Sequence, residues 1–339
     1  VSLDLALRPG LVLAVGPNGA GKTNLLESLH VATQGFSPRT RADANLVRHG
    51  ARGFRVAAAG TGDRGEMEVE VRMEIGQGKD ARLNGMPLAS LERLRTEAVT
   101  LVFTPDRLAV VKAGPAVRRA YLDRALARLF PARAPLSHEY ADALAQRNAA
   151  LRRVAAGLTP RAAVDPWNVR LTAAGEALAR ARRNVIDALA PAFTERTGEL
   201  GLLDARLEYV PSPVTVPDLE ERFERDADRA ATGIGPHRDE IRIIAGGHDL
   251  RSHGSQGEQR IALLALLLAE ATLVGDRRVT PPLLLLDDVL SELDGDRRES
   301  LVARLRGVGQ AVVTTASRGA LPGEADQLLA VRTGLVETD

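Results

Sequence analysis

Three observations predict an α/β fold built on a phosphate-binding loop. Gly16-Pro17-Asn18-Gly19-Ala20-Gly21-Lys22-Thr23 fits the pattern G-x-x-x-x-G-K-[ST] at every fixed position. The loop sits between an apolar run, Leu11 to Val15, and a segment, Asn24 to Ala32, with Leu25, Leu26, Leu29 and Ala32 at helical spacing. Far downstream, Leu283 to Leu286 reads as a second buried strand, and it ends in Asp287 and Asp288. These features predict a P-loop NTPase core with a β-rich lobe and an inserted α-helical subdomain.

The loop has a physical logic. Its glycines allow a tight turn that brings backbone N–H groups close to phosphate oxygens. Lys22 brings a point charge to the β- and γ-phosphates, and the Thr23 hydroxyl is placed to ligate Mg2+. The start of the following helix, at Asn24, adds its partial positive charge. Lysine usage makes an accidental match less credible. The chain holds only Lys22, Lys79 and Lys112 and otherwise uses arginine.

Composition bounds the rest. A chain of 339 residues fits one large or two ordinary domains, and 45% hydrophobic with 26% charged residues is a globular balance. There is no cysteine, which excludes disulfides, thiolate metal sites and a cysteine nucleophile and suits a cytosolic protein. The longest apolar helix candidate, Ile261 to Val274, is too short to span a membrane and contains Glu270. The chain opens on Val1 with no signal-peptide pattern, so a trimmed N-terminus is expected. With 3% aromatic residues, base-stacking platforms are not expected. The net charge of +1 hides a dipole: residues 107–200 carry 16 Arg plus Lys against 8 Asp plus Glu, and 204–228 is acidic.

Taken in order, residues 34–95 read as an antiparallel meander. Glycines and Asn84-Gly85 punctuate short alternating runs such as Glu66 to Ile75. Ser37-Pro38-Arg39-Thr40 is either an exposed turn or a segment that reaches phosphate or base. Val99 to Phe103 is another strand. Residues 116–200 turn rich in Ala, Arg and Leu. Helices are expected from Arg118 to Leu129, His138 to Arg153 and Thr172 to Ala190, broken by Pro131, Pro135, Pro160, Pro166 and Pro191. No heptad pattern is long enough for an extended coiled coil. Arg147, Arg152, Arg153, Arg180, Arg182 and Arg183 recur there. They form either a solvated basic face or a surface that neutralises DNA phosphates. The domain boundaries read as 1–112 for the N-terminal part of the core, 113–232 for the helical subdomain and 233–339 for the C-terminal part of the core.

Chemistry returns in the last third. Gly235-Pro236-His237-Arg238-Asp239 precedes a strand, Glu240 to Ile244. Ser255-Gln256-Gly257-Glu258-Gln259 then leads into an apolar helix after Arg260. That block is either a plain helix cap or a second anion site. Ligands of open α/β sheets lie at the carboxyl ends of strands. There Asp287 is placed to hold Mg2+ through water, and Asp288 to orient or deprotonate the attacking water. Ser291-Glu292-Leu293-Asp294 follows, and a last strand runs from Gln310 to Thr314.

This order of loop, Ser-x-Gly block, aliphatic-Asp-Asp strand and Ser-x-Leu-Asp loop resembles an ABC-type ATPase head of the kind in SMC-like proteins. Within that class, six blocks resemble the RecF recombination mediators. They are Asn18 to Glu27, Phe103 to Leu108, Arg118 to Asp123, Gln146-Arg147-Asn148, Gly235 to Asp239 and Ser255 to Arg260. They span nearly the whole chain, and Arg-Arg-x-x-Leu-Asp and Gly-Pro-His-Arg-Asp are the most specific.

The resemblance implies a weak, DNA- and dimer-dependent ATPase of the ABC/SMC-head type, acting in DNA replication, repair, recombination and the SOS response in the cytoplasm at the nucleoid. It implies a homodimer on ATP, binding to DNA at single-strand/double-strand junctions, and loading of RecA with RecR and RecO. Gly16 to Asn24, Asp287 and Asp288 of one subunit would hold Mg-ATP, with Lys22 and Asp288 catalytic. Ser255, Gln256, Gly257 and Glu258 of the other subunit would cap the γ-phosphate, and Asp294 would lie in the dimer loop. Arg147, Arg152 and Arg153 are the candidate DNA contacts. Compared with transporter ATPases, Asp288 stands in place of Glu, and Thr314 or Thr315 occupies the region of the switch histidine. Both departures point to slow hydrolysis. The family's opening strand, with its Tyr-Arg-Asn stretch, is missing. The alternatives are a nucleotide-gated protein-binding adaptor, an SMC-type structural head and a transporter ATPase subunit.

Overall fold

The computed structural model describes residues 3–40 and 42–338, except for the side chains of Glu92 and Glu292. Val1 lies outside the described residues. The chain forms two units. One contains Val1–Leu108, Arg196–Leu202 and Leu263–Asp339, and the other Ala109–Glu195 and Leu203–Ala262.

The first unit opens with β1 (Leu11–Val15) and α1 (Lys22–Gln34). Next come β2 (Gly53–Gly62), β3 (Gly65–Glu74), β4 (Gly78–Leu83), β5 (Met86–Pro87), α2 (Leu91–Glu97) and β6 (Thr100–Phe103). The second unit holds α3 (Ala109–Lys112), α4 (Pro115–Leu129), α5 (Leu136–Ala155) and most of α6 (Asp165–Glu199). It continues with β7 (Arg206–Val210), α7 (Val216–Glu221), α8 (Phe223–Asp228), β8 (Glu240–Ala245), β9 (His248–Asp249), α9 (Leu250–His253) and the first turns of α10 (Gln256–Arg277). The chain then returns to the first unit with β10 (Leu283–Leu286), α11 (Gly295–Leu305), β11 (Ala311–Thr315), β12 (Gln327–Arg332) and β13 (Leu335–Thr338).

The main sheet has the order β13-β12-β1-β11-β10-β6. All its pairs are parallel except β12 with β13. Covered on both faces, its strands are continuous apolar runs. Leu11, Val12 and Ala14 in β1 and Leu284, Leu285 and Leu286 in β10 are fully buried. Each such leucine contributes roughly 1.5–3 kcal/mol. On one face Leu25 and Leu26 of α1 pack on Val12, Val102, Leu285 and Val312. The register Leu286↔Val313 and Val15↔Thr315 brings the carboxyl ends of β1, β11 and β10 level.

The expected meander is a four-stranded antiparallel sheet, β2-β3-β4-β5. Val69, Val71 and Ala81 cover Val31 and Ala32 of α1 and Leu94 of α2. Asn84 and Gly85 both have positive φ (50° and 76°), as a two-residue hairpin turn demands. The β2–β3 turn is clipped down at Asp63, which accepts from Arg278 Nε and Thr280 N, both at 2.8 Å.

The second unit is organised around charges rather than apolar side chains alone. Arg147 is fully buried. Its Nη1 donates to Asp226 (2.8 Å) and Thr232 (2.7 Å), and its Nε donates to Asn168 (2.8 Å). Asn148, its neighbour, accepts from the N–H and hydroxyl of Thr232. Asp239 is also fully buried and accepts from Arg182 (2.8 Å), the Tyr209 hydroxyl (2.5 Å) and Ser212 N (2.8 Å). Arg182 also makes a bidentate pair with Asp123. Burial works against the Arg182 charge, but Asp123 and Asp239 outweigh it and push the pKa up. Arg118 pairs with Glu240 at 2.7 Å. His237 Nε2 donates to Thr232 O (3.0 Å), and Nδ1 lies 2.7 Å from the Tyr140 hydroxyl. Burial, first of all, holds the His237 pKa below its ordinary value.

Several expectations change. Arg147 is removed from the candidate DNA contacts, because its guanidinium is enclosed and its charge is spent on Asp226. Arg182, counted on the same basic face, is likewise interior, whereas Arg152 and Arg153 are exposed. The helical unit begins at Ala109 and also takes in Leu203–Ala262, so the Gly-Pro-His-Arg-Asp and Ser255 blocks belong to it and not to a C-terminal core segment starting at 233. The reason is pairing: β7 and β8 hydrogen-bond to each other, and Asp239 and Glu240 hold arginines of α4 and α6. Pro191 does not end α6, and its ring faces solvent. Pro166 sits in the first turn of α6, where a missing N–H costs nothing.

Two predictions test this lattice. Arg147→Ala leaves Asp226 buried without its cation and should cost about 3–5 kcal/mol in denaturant unfolding. Arg152→Ala, on the exposed side of α5, should stay within about 0.5 kcal/mol. Equal effects would show that the pair does not hold the unit together. Because the folded state resists protonating His237, stability should fall as pH drops below the ordinary histidine value of 6.5. His237→Gln should flatten that slope in pH-dependent unfolding.

Candidate nucleotide site

β1 delivers the loop to the middle of the sheet. Gly16 N donates to Thr315 O at 3.2 Å, and a Cβ on Gly16 would lie 2.2 Å from Val331 O, so only glycine fits between β11 and β12. Gly19 (φ 82°) and Gly21 (φ 105°) turn the loop through left-handed backbone. Ala20 closes the turn onto Pro17 O and buries its methyl in the sheet-facing core. Pro17, Asn18, Gly19 and Asn24 are exposed. Among the described residues no side chain caps α1 at Gly21. Its first N–H groups and dipole are left for an anion. Lys22 is buried to 8% exposure, and its Nζ donates to Gly16 O (2.7 Å) and Pro17 O (3.1 Å). An ammonium has three donors, so one more is free to meet a phosphate oxygen.

The sheet register brings the distant Asp pair to this loop. Asp287 Oδ2 accepts from Thr23 Oγ1 at 2.9 Å, and Asp287 Oδ1 accepts from Thr314 Oγ1 at 2.6 Å. Asp288 N donates to the same Thr314 hydroxyl at 3.0 Å. Asp288 itself has φ 50° and ψ 32°, a left-handed conformation uncommon outside glycine. Its Oδ1 is buried and has no hydrogen-bond partner among the described residues. Thr315 turns away and accepts from Ser317 N. Of the two threonines in the switch-histidine region, only Thr314 faces the acids. Asp294 N-caps α11, accepting from Arg297 N at 3.0 Å, and its side chain is 58% exposed. Ser37 is not part of an open turn. Its hydroxyl donates to Glu27 at 2.5 Å and accepts from Arg39 N and Thr40 N.

Ser255 to Glu258 lies in the second unit and is a reciprocal capping box. Ser255 N donates to Glu258 Oε2 (2.7 Å), and Glu258 N donates to Ser255 Oγ (3.3 Å). These bonds with Ser255 lower the Glu258 pKa. Ser255, Gln256 and Gly257 are exposed, whereas Gln259 is buried and donates to Leu250 O. Gly257 has ordinary helical backbone and open space around a would-be Cβ, whose nearest neighbour is Ser255 Oγ at 4.0 Å. The fold therefore does not require glycine there, although glycine costs a helix about 1 kcal/mol relative to alanine.

The site thus joins a phosphate loop, a hydroxyl and carboxylate suited to a hard cation, and a second carboxylate with an unpaired oxygen. Among the described residues no group of three or more His, Cys, Asp or Glu side chains is arranged to hold a metal ion. A cation would therefore depend on Thr23, Asp287 and ligands from outside the chain. Sequence reasoning found each of these residues except Thr314, whose part is visible only once the strands are in register.

Fold and site together define a P-loop ATPase head of the ABC/SMC type. The family model described as RecF/RecN/SMC N terminal domain matches residues 2–336. A DNA replication and repair protein RecF from Heliobacterium modesticaldum is 36% identical over 92% of this chain and 88% of its own. One from Anaeromyxobacter sp. strain Fw109-5 is 38% identical over 93% and 89%. The chain belongs to the RecF family. A solved structure of the recombination mediator protein RecF-ATP in the RecFOR pathway superposes with TM-score 0.87 at 26% identity, covering 99% of this chain and 93% of that one. An Smc head domain from Pyrococcus furiosus, bound to the C-terminal domain of ScpA, shares the fold at TM-score 0.58 and 18% identity, covering 97% and 89%.

The glycine geometry yields a contrast measurable by thermal unfolding. Gly16→Ala should destabilise by about 1–3 kcal/mol, since the obstructing atom is backbone. Gly257→Ala should leave stability unchanged or raise it by up to about 1 kcal/mol. A destabilised Gly257→Ala would mean that the glycine serves the fold.

Proposed function

We propose that this chain is an ATP-dependent, DNA-binding recombination and repair mediator. On this reading it dimerises on ATP and binds DNA at single-strand/double-strand junctions. With RecO and RecR it helps load RecA at gaps, in the cytoplasm, and its slow hydrolysis releases the dimer. The observation that carries the nucleotide part is the 2.9 Å hydrogen bond from Thr23 to Asp287, which unites the phosphate loop with the acidic strand end. Family membership supports the DNA-repair part.

The proposed chemistry is positional and electrostatic. Gly16 to Asn24 cradle the phosphates with backbone N–H groups, and Lys22 adds its charge. Thr23 and Asp287 supply oxygen ligands that fit Mg2+, which neutralises charge on the phosphates when bound. Asp288 holds the attacking water with its unpaired oxygen. Ser255 and Gly257 of a second copy complete the cage with a hydroxyl and an N–H. The exposure of Ser255 and the unneeded glycine at 257 support that role, since a side chain at 257 would keep a phosphate away. Arg152 and Arg153 remain the DNA-facing candidates of the original three.

Light scattering with and without Mg-ATP tests the dimer. Mass should double with ATP in the parent, persist in Asp288→Asn, and stay that of a monomer in Ser255→Arg and Gly257→Ala, both of which should still bind nucleotide. Failure of ATP to change the parent's mass would sink the composite site. Binding to gapped DNA should require ATP and weaken with salt, and Arg152→Glu with Arg153→Glu should lower both the affinity and the salt slope. ATP-dependent dimers that ignore DNA would favour a protein-binding adaptor.

A further inference from the structure

We infer that Thr314 is the positioning residue of the catalytic edge: its single hydroxyl fixes both carboxylates, Asp287 for the cation and Asp288 for the water. The inference rests on the ATPase reading above and goes beyond it, because it assigns a role to a side chain that contacts neither phosphate nor cation.

The geometry leaves the hydroxyl one arrangement. Thr314 is fully buried on β11, the strand between the phosphate-loop strand β1 and the acidic strand β10. Its proton goes to Asp287 Oδ1 at 2.6 Å, which leaves the oxygen lone pairs to accept Asp288 N–H at 3.0 Å. A hydroxyl donates once and accepts freely, so both bonds form together.

Asp287 has its other oxygen on Thr23. Two hydroxyls restrain its carboxylate, with Oδ2 turned toward Thr23. Asp288 needs the anchor for a different reason. Its backbone is left-handed at φ 50°. Such a conformation is uncommon in a non-glycine residue and persists where the surroundings impose it. The Thr314 oxygen holds the Asp288 N–H in that conformation, and Ser291 Oγ donates to Asp288 O at 2.9 Å from the other side. That backbone directs the carboxylate whose Oδ1 is buried and has no hydrogen-bond partner among the described residues.

The alternative is that Thr314 merely fills a strand position. Valine, with the same shape and a better strand propensity, would then serve as well. A hydrogen bond to a charged partner is worth about 1.5–3 kcal/mol, a factor of roughly 10 to 100. That scale sets the expected effects.

The test compares Thr314→Val, Thr314→Ser and the parent by titrating Mg2+ into binding of a fluorescent ATP analogue, and by steady-state hydrolysis. Thr314→Val should need roughly 10-fold or more Mg2+ for half-maximal tightening of analogue binding. Its affinity for the analogue without Mg2+ should match the parent's. Its kcat should fall roughly 10- to 100-fold with KM, measured at saturating Mg2+, changed far less. Thr314→Ser, which keeps the hydroxyl, should stay within about threefold of the parent on every measure. Thermal unfolding should show Thr314→Val folded. A Thr314→Val protein with the parent's Mg2+ dependence and kcat overturns the inference alone, as does a Thr314→Ser protein as impaired as Thr314→Val. A parent that binds no nucleotide overturns the ATPase reading and this inference with it.

Discussion

The nucleotide edge depends on one shared carboxylate. Asp287 takes a hydroxyl from the start of α1 on one oxygen and a hydroxyl from β11 on the other. Those donors come from opposite ends of the chain, and only the parallel register of β1, β11 and β10 sets them side by side. Loop, Asp287 and Asp288 are therefore one unit mechanically. The buried leucines of β10 and the close seat of Gly16 on Val331 O matter because they fix the height at which Asp287 leaves the sheet.

The helical unit uses the opposite economy. It places Arg147, Arg182, Asp226 and Asp239 in its interior and pairs every one of them. Removing either member of such a pair leaves a buried charge. The two most specific blocks of the RecF resemblance, Arg118 to Asp123 and Gly235 to Asp239, contribute to this lattice, as does Gln146 to Asn148. Tyr140 and Tyr209 belong to it too, and burial raises the pKa of both phenols. In this chain those blocks thus serve in good part as the interior wiring of a helical unit, while the nucleotide loop fits a much wider class.

Legibility followed the range of the interactions. The loop, its strand and helix, the acidic strand and the hairpin at Asn84-Gly85 are local patterns, and each was readable. Helix ends were less so: α6 ran on past Pro191, because an exposed proline near a helix end loses one bond without breaking the packing of the rest. The burial of Arg147 is hidden in the sequence for a general reason. Composition locates basic residues but not the acids that meet them, and Asp226 lies 79 residues away. Thr314 was named only as an occupant of a region, since the aspartates it serves are set by register across β10 and β11. The line between the two units was also hidden, because β8 follows the helices in sequence but pairs with β7 rather than with the main sheet.

The bond between Thr23 and Asp287 spans 264 residues. It is a contact of very high order, and such contacts form late because a large loop must close first. During synthesis the phosphate loop is made 264 residues before its acidic partner. The helical unit, residues 109–195 and 203–262, lies wholly before that partner in the chain. A chain ended between the two therefore carries the phosphate-binding loop without Asp287, the carboxylate that Thr23 meets.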